Sequence, residues 1–138
     1  MSDPKTIGNV KIILMGVVIV TVIDVCGSLI SRTAHIPYAW FGIATFLTYV
    51  TLGYRGARDR SLLAIAVIGL IVCTFDATVG WAVSALLGPG RVPSSGAAHK
   101  IAIVVTTVTS VGTGTLIWLA SAISFKYLHR GSTPSSTS

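Results

Sequence analysis

Residues 12–30 read IILMGVVIVTVIDVCGSLI, an apolar run in which Asp24 is the one charged side chain. A helix rises 1.5 Å per residue, so about 20 such residues cross the hydrocarbon core of a bilayer. The run continues into Ser31, Arg32 and Thr33 without the small-residue cleavage site of a secretory leader. We therefore predict that this segment is a membrane-spanning helix.

The composition of the whole chain also indicates that the protein lies in a lipid bilayer. Of its 138 residues, 52% are hydrophobic and 10% are charged, whereas soluble domains carry about 25% charged residues. The net charge of +6 could suggest a nucleic-acid partner, but the basic residues lie at the ends of apolar runs rather than on one face. We therefore expect the lipid bilayer, and no nucleic acid, as the partner of this surface.

Three further apolar runs follow the first, which predicts an all-α membrane protein, a four-transmembrane-helix bundle. The predicted spans are 12–31, 36–54, 61–87 and 101–125. They form a single domain over residues 1–130. Pro37 suits a helix start, where its missing N–H costs little, and residues 88–90 (Gly-Pro-Gly) should end the third span. Residues 131–138 consist of Ser, Thr, Gly and Pro, so we predict a disordered polar tail.

The distribution of basic residues predicts the orientation of the helices. On the side of the amino terminus they are Lys5, Lys11, Arg55, Arg58, Arg60, Lys126 and Arg130, and on the opposite side they are Arg32, Arg91 and Lys100. Cytoplasmic loops carry the excess of Lys and Arg. Seven basic residues against three therefore place both termini in the cytoplasm. The absence of a cleavable leader is compatible with a bacterial inner (plasma) membrane, where we expect a multi-pass protein.

Two aspartates, Asp24 and Asp76, interrupt their apolar runs well inside the predicted spans. An ionised carboxylate at the centre of a span costs about 2.5–3.5 kcal/mol on insertion scales, so neither should face lipid. Helical periodicity places small residues on the same face as each acid. These residues are Thr21 and Ser28 in the first span, and Gly69, Cys73, Gly80 and Ser84 in the third. Such faces let helices approach closely and offer hydroxyl partners to the carboxyls.

The similar surroundings of the two acids raise the alternative of a two-fold repeat of helix pairs. Helices one and two would be echoed by helices three and four, as a parallel repeat about the membrane normal. Beyond the acids the likeness is short, because the second and fourth helices share an aromatic residue followed by basic residues and glycine, as at 54–56 and 127–131.

Other spans supply candidate partners for the acids. Tyr49 in the second span could donate a hydrogen bond to a carboxylate, and the fourth span is rich in Thr, Ser and Gly between residues 106 and 115. The face formed by Thr106, Ser110 and Thr113 is the one we expect to meet the acids. Close packing without a ligand is the alternative for all of these residues.

Two functions remain open from the sequence. The acids could bind a proton, a cation or a cationic substrate in a small transporter, channel or ligand-binding protein. Alternatively, protonated acids could hold helices together in a noncatalytic accessory or scaffold subunit, and the sequence leans slightly toward this role because nothing specifies a cargo. We expect a homo-oligomer or a larger membrane complex. We see no nucleophile with a base, no metal site and no cofactor motif, so we predict that the protein is not an enzyme.

Overall fold

The computed structural model describes residues 4–58, 60–87 and 96–130, and these ranges are helical apart from short connections, with no strand. The elements are helix α1 (Pro4–Ala34), a 3-10 turn (Tyr38–Trp40), helix α2 (Phe41–Gly56), helix α3 (Leu62–Phe75), a π-helical segment (Asp76–Gly80), helix α4 (Trp81–Leu87) and helix α5 (Ala97–Arg130). Helix α3, the π-helical segment and α4 follow one another without a break. The predicted helix stop at 88–90 and the predicted tail at 131–138 lie outside the described residues.

Among the described residues, three helical stretches are long and apolar enough to cross a membrane, by length and composition. They are Thr6–Ala34, Leu62–Gly80 and Lys100–His129. Helix α2 has 16 residues, fewer than the roughly 20 of a straight crossing. The apolar side chains on the outside of the molecule, such as Leu63 and Leu116, are 76% and 69% exposed. This surface suits contact with lipid rather than water.

Local chemistry explains several helix ends. His35 follows α1 with a φ of +57°, the left-handed conformation in which helices commonly terminate. Pro37 precedes the 3-10 turn. The hydroxyl of Ser61 accepts a hydrogen bond from the backbone N–H of Ala64 at 3.3 Å, which caps the start of α3.

The core is built around Trp118 of α5, whose side chain is 1% exposed. It lies against α2 and α3 where both helices carry glycine. A Cβ atom added to Gly53 would lie 2.6 Å from the carbonyl oxygen of Trp118, and one added to Gly69 would lie 2.9 Å from the Cγ atom of its ring. Small residues at these positions therefore allow the three helices to approach closely.

Polar contacts join three segments at one end of the molecule. The Nε atom of Arg60 donates a hydrogen bond to the side-chain oxygen of Asn9 at 2.7 Å, and the ammonium of Lys126 donates to the carbonyl of Arg60 at 2.7 Å. The start of α1, the connection between α2 and α3, and the end of α5 thus lie together. The helices consequently alternate in direction along the chain.

Candidate functional site

The carboxyl groups of Asp24 and Asp76 meet between the packed helices, and Asp76 is half-buried. Asp24 lies on α1 and is 7% exposed, and Asp76 opens the π-helical segment. The two groups are close enough to hydrogen-bond to each other and to interact as like charges. A carboxylate has no hydrogen to donate, so a hydrogen bond between two carboxyls requires a proton on one of them. Two neighbouring carboxyls are most stable when they share one proton, because like charges repel and burial disfavours the ionised forms.

Tyr49 of α2 holds the second of these acids. Its hydroxyl donates a hydrogen bond to Oδ2 of Asp76 at 2.5 Å, and its side chain is 6% exposed. The ring also lies beside that of Trp118, with the ring centres 6.2 Å apart. Packing against the core therefore keeps the Tyr49 hydroxyl directed at the carboxyl.

Tyr38 holds the first acid, a contact that the sequence did not indicate. Its hydroxyl donates to Oδ1 of Asp24 at 2.8 Å, from the 3-10 turn that precedes α2. A Cβ atom on Gly27 would lie 2.8 Å from the ring of Phe41, so the start of α2 packs beside residues 24–28 while α1 continues to Ala34. The overlap of the two helices is what brings Tyr38 level with Asp24. The available signal was a tyrosine 14 residues after Asp24, beyond the next turn of the chain.

The small residues that the sequence placed beside the acids have specific neighbours. A Cβ atom on Gly80 would collide with Oδ2 of Asp24, so the Asp24 carboxyl lies directly on the backbone of the π-helical segment. A Cβ atom on Gly114 of α5 would lie 2.8 Å from both the Sγ atom of Cys73 and the ring of Tyr49. Glycine at these two positions allows α1 to approach the π-helical segment and α5 to approach α2 and α3. The side chain of Ser84 lies outside the described set.

The π-helical segment Asp76–Gly80 is itself part of the site, because it carries Asp76 at one end and Gly80 at the other. A π turn within an α-helix has a hydrogen-bond pattern of i to i+5 and is frequent at functional sites. The hydroxyl of Thr78 donates to the carbonyls of Thr74 at 2.8 Å and of Phe75 at 3.1 Å. These bonds provide partners for carbonyls near the change of helix type.

A cavity of about 620 Å³ lies beside the acid pair. Its described lining residues are Asp24, Tyr38, Phe41, Gly42, Thr45, Phe46, Tyr49, Asp76, Ala77, Gly80, Thr109, Ser110, Thr113, Gly114 and Ile117. The cavity is thus bounded by the start of α2, the π-helical segment and the middle of α5. Within this described set the charged side chains are the two aspartates. Its walls are mostly apolar or aromatic.

The structure brings together some of the residues predicted for the site and separates others. Tyr49, Ser110 and Thr113 line the cavity together with both acids, whereas Thr106 is not among the described lining residues. The hydroxyl of Thr21 donates to the carbonyl of Val17 in its own helix at 2.7 Å. Ser28 is fully buried, and its hydroxyl has no hydrogen-bond partner among the described residues.

The described residues contain no group of three or more His, Cys, Asp or Glu side chains that could hold a metal ion. The chemistry available at the site is therefore that of two carboxyls and two phenols, which can exchange protons and accept hydrogen bonds from a cationic group. No protein-family model, curated protein or solved structure matches this chain.

Proposed function

We propose that this chain is a small multi-pass membrane protein of the transporter or ligand-binding class, in which Asp24 and Asp76 bind a proton or a positively charged group. The meeting of two carboxyls from different helices beside a cavity is the observation that carries this proposal. Ionisable residues in membrane interiors mark ion and substrate pathways. A pair of acids that exchanges its shared proton for another cation supplies the chemistry for such a pathway.

The alternative, in which the acids only hold helices together, explains less of the arrangement. One protonated acid bonded to one tyrosine would join two helices, but here two acids and two tyrosines converge. A cavity of about 620 Å³ beside them has the size of a small-molecule site, which the joining of helices does not require. The combination of a polar cluster with open volume therefore favours a ligand over structural glue.

The proposal includes four crossings with both termini in the cytoplasm. Helix α2 would serve as the remaining crossing together with the 3-10 turn before it. The contacts of Arg60 with Asn9 and Lys126 support the orientation, because they gather basic residues at one end, as expected of a cytoplasmic face. A bacterial inner membrane remains part of this proposal.

The experiment is a proton-flux assay on protein reconstituted in liposomes. A pH-sensitive dye inside the vesicles reports proton movement while a potassium diffusion potential is applied. We expect the wild type to show a pH-linked flux and the double variant Asp24→Asn/Asp76→Asn to lose it while still inserting. The control Thr33→Val alters an exposed hydroxyl that bonds within its own helix at 3.0 Å, and it should match the wild type. A double variant with wild-type flux would overturn the proposal.

A second candidate, a noncatalytic accessory or scaffold subunit, is supported by the amino-terminal half of α5. Ile101, Val104, Val105 and Val108 there are 57–66% exposed, and the helix also presents Gly112, where an added Cβ atom would meet nothing within 4 Å. A slender apolar face of this kind suits docking onto other transmembrane helices, in a homo-oligomer or a larger complex. Purification in mild detergent tests this candidate: a stoichiometric partner supports it, and a clean monomer contradicts it.

A further inference from the structure

The size of the cavity bears on what kind of cation the acid pair would receive. About 620 Å³ falls within the range of roughly 300–1,000 Å³ typical of small-molecule sites. A bare metal ion is instead held by several close ligands, at about 2.0–2.6 Å for Mg²⁺ and Ca²⁺. Among the described residues no third acid, histidine or cysteine joins the two aspartates to form such a cluster. The volume of the cavity and the small number of metal-binding side chains therefore both favour an organic cation over a metal ion.

The walls of the cavity indicate the rest of the ligand. Phe41 and Phe46 of α2 and Ile117 of α5 line it together with the two tyrosines. The apolar or aromatic part of a ligand would pack against these side chains. A positive group near the aromatic faces would also gain cation–π attraction, which is strongest where water is excluded. A ligand with a charged end and an apolar body therefore matches the lining better than a hydrated inorganic ion.

The hydrogen-bonding groups indicate the chemistry of the charged end. Tyr38 donates to Oδ1 of Asp24 and Tyr49 donates to Oδ2 of Asp76. Each hydroxyl thus occupies one oxygen of its acid, which leaves the other oxygen of each acid for the shared proton. A group that replaces this proton must be positive and must donate hydrogen bonds to carboxylate oxygens. A protonated amine meets both conditions.

We propose that the cavity binds an alkylammonium ion with an aromatic or aliphatic body, and that its ammonium group displaces the proton shared by Asp24 and Asp76. This inference rests on the proposed function and names its ligand class. The exchange is balanced: the amine enters as R–NH₃⁺, one carboxyl O–H bond breaks, and one proton leaves to water. The charge of the filled site equals that of the empty one, so the membrane interior gains no net charge on binding.

The exchange predicts a characteristic pH dependence. Because one proton leaves for each cation bound, the apparent affinity should rise about tenfold per pH unit wherever the empty pair retains its shared proton and the amine is protonated. Protons and the amine compete for the same carboxyls. Binding therefore weakens as the pH falls.

The test is a calorimetric titration of the full-length protein in detergent with 2-phenylethylamine hydrochloride. Two buffers of different ionisation enthalpy reveal the number of protons released. Three matched compounds serve as controls: 2-phenylethanol has the same skeleton without charge, phenylacetate has the opposite charge, and potassium chloride supplies a small cation. We expect the amine to bind with release of about one proton, because its ammonium group displaces the shared proton. The three control compounds should bind far more weakly.

Variants connect the binding to the residues. Asp24→Asn and Asp76→Asn should each weaken amine binding roughly tenfold or more and abolish proton release, because each removes a charge-assisted hydrogen bond. Phe46→Ala should weaken binding without changing the number of protons released. Tyr127→Phe, at a side chain that is 75% exposed, should bind as the wild type does.

Three results would overturn the inference: equal binding of the alcohol, binding of the amine without proton release, or binding of potassium but not the amine. The liposome assay separates these failures from failure of the proposed function. If pH-linked flux depends on the two acids but the amine does not bind, the ligand class is wrong and the proposed function stands. If the acid variants also retain the flux, both proposals fail.

Discussion

The hydroxyl of Tyr49 donates a hydrogen bond to Oδ2 of Asp76 at 2.5 Å, which ties α2 to the π-helical segment beside the core. Because Tyr49 also packs beside Trp118, with ring centres 6.2 Å apart, the acid pair is connected directly to the part of the fold that holds α2, α3 and α5 together. The site and the core therefore share a residue, and a change at Tyr49 should affect both.

Replacing Tyr49 with Phe tests this connection. The variant keeps the ring and loses the hydroxyl, so we expect a loss of stability of about 0.6 kcal/mol, and at most about 1.7, as found for hydrogen bonds between transmembrane helices. Thermal unfolding in detergent measures the change, with Tyr127→Phe as the matched control. A loss of several kcal/mol would mean that the hydroxyl does more than bond Asp76.

Gly80→Ala should disturb the site more than the fold. The added Cβ atom would meet Oδ2 of Asp24, so the carboxyl must move from its place beside Asp76. We expect the pH-linked flux to fall to near that of the double Asn variant, while the protein still inserts. The control is Gly112→Ala, where an added Cβ atom meets nothing within 4 Å. Wild-type flux in Gly80→Ala would show that the position of the Asp24 carboxyl is not critical.

Gly53→Ala should instead affect the fold more than the site and mainly reduce stability. Its Cβ atom would lie 2.6 Å from the backbone carbonyl oxygen of Trp118, and a backbone atom cannot rotate away as a flexible side chain can. Overpacking of this kind costs about 1–3 kcal/mol. Unfolding of the purified variant in detergent should show the loss, whereas Gly56→Ala, with nothing within 4 Å of the added atom, should unfold like the wild type. Equal stability of the two variants would contradict the close approach of α2 and α5.

The orientation of the helices is tested with reporter fusions. A fluorescent protein that folds in the cytoplasm should fluoresce when fused after Ser138, and a phosphatase active outside the cytoplasm should be active when inserted after Gly96. This expectation follows from the seven basic residues on one side against three on the other. A phosphatase that is active when fused after Ser138 would contradict the predicted orientation.

Parts of the site could be predicted because they depend on local chemistry. Asp24 and Asp76 stand out as ionisable residues in apolar runs, and the cost of exposing them to lipid predicts that they face inward. Helical periodicity placed Ser110 and Thr113 on one face of α5, and both line the cavity. Thr106 shares that face but lies one or two turns further toward the amino end of α5. Periodicity identifies a face, but how far along the helix it contacts its neighbours depends on packing.

The hydrogen bond of Tyr38 could not be predicted in this way. Its partner lies 14 residues earlier, and the two meet because α2 begins beside residues 24–28 instead of at the end of α1. This overlap depends on Phe41 packing against Gly27. The π-helical segment was also missed, because the choice between hydrogen bonds to i+4 and i+5 depends on neighbouring helices as well as on the residues themselves.

The amino-acid sequence alone determined the all-helical class, because long apolar runs must form helices in lipid. It also identified Asp24 and Asp76 as site candidates, because an ionisable residue in such a run has no charged partner nearby in the sequence. Whether the acids meet, which tyrosines bond them and how much space remains beside them depended on the tertiary structure. These features arise from contacts between helices that are far apart in sequence, such as Gly80 with Asp24 and Gly53 with Trp118. Steric fit between backbones decides such contacts, and no single helix carries that information.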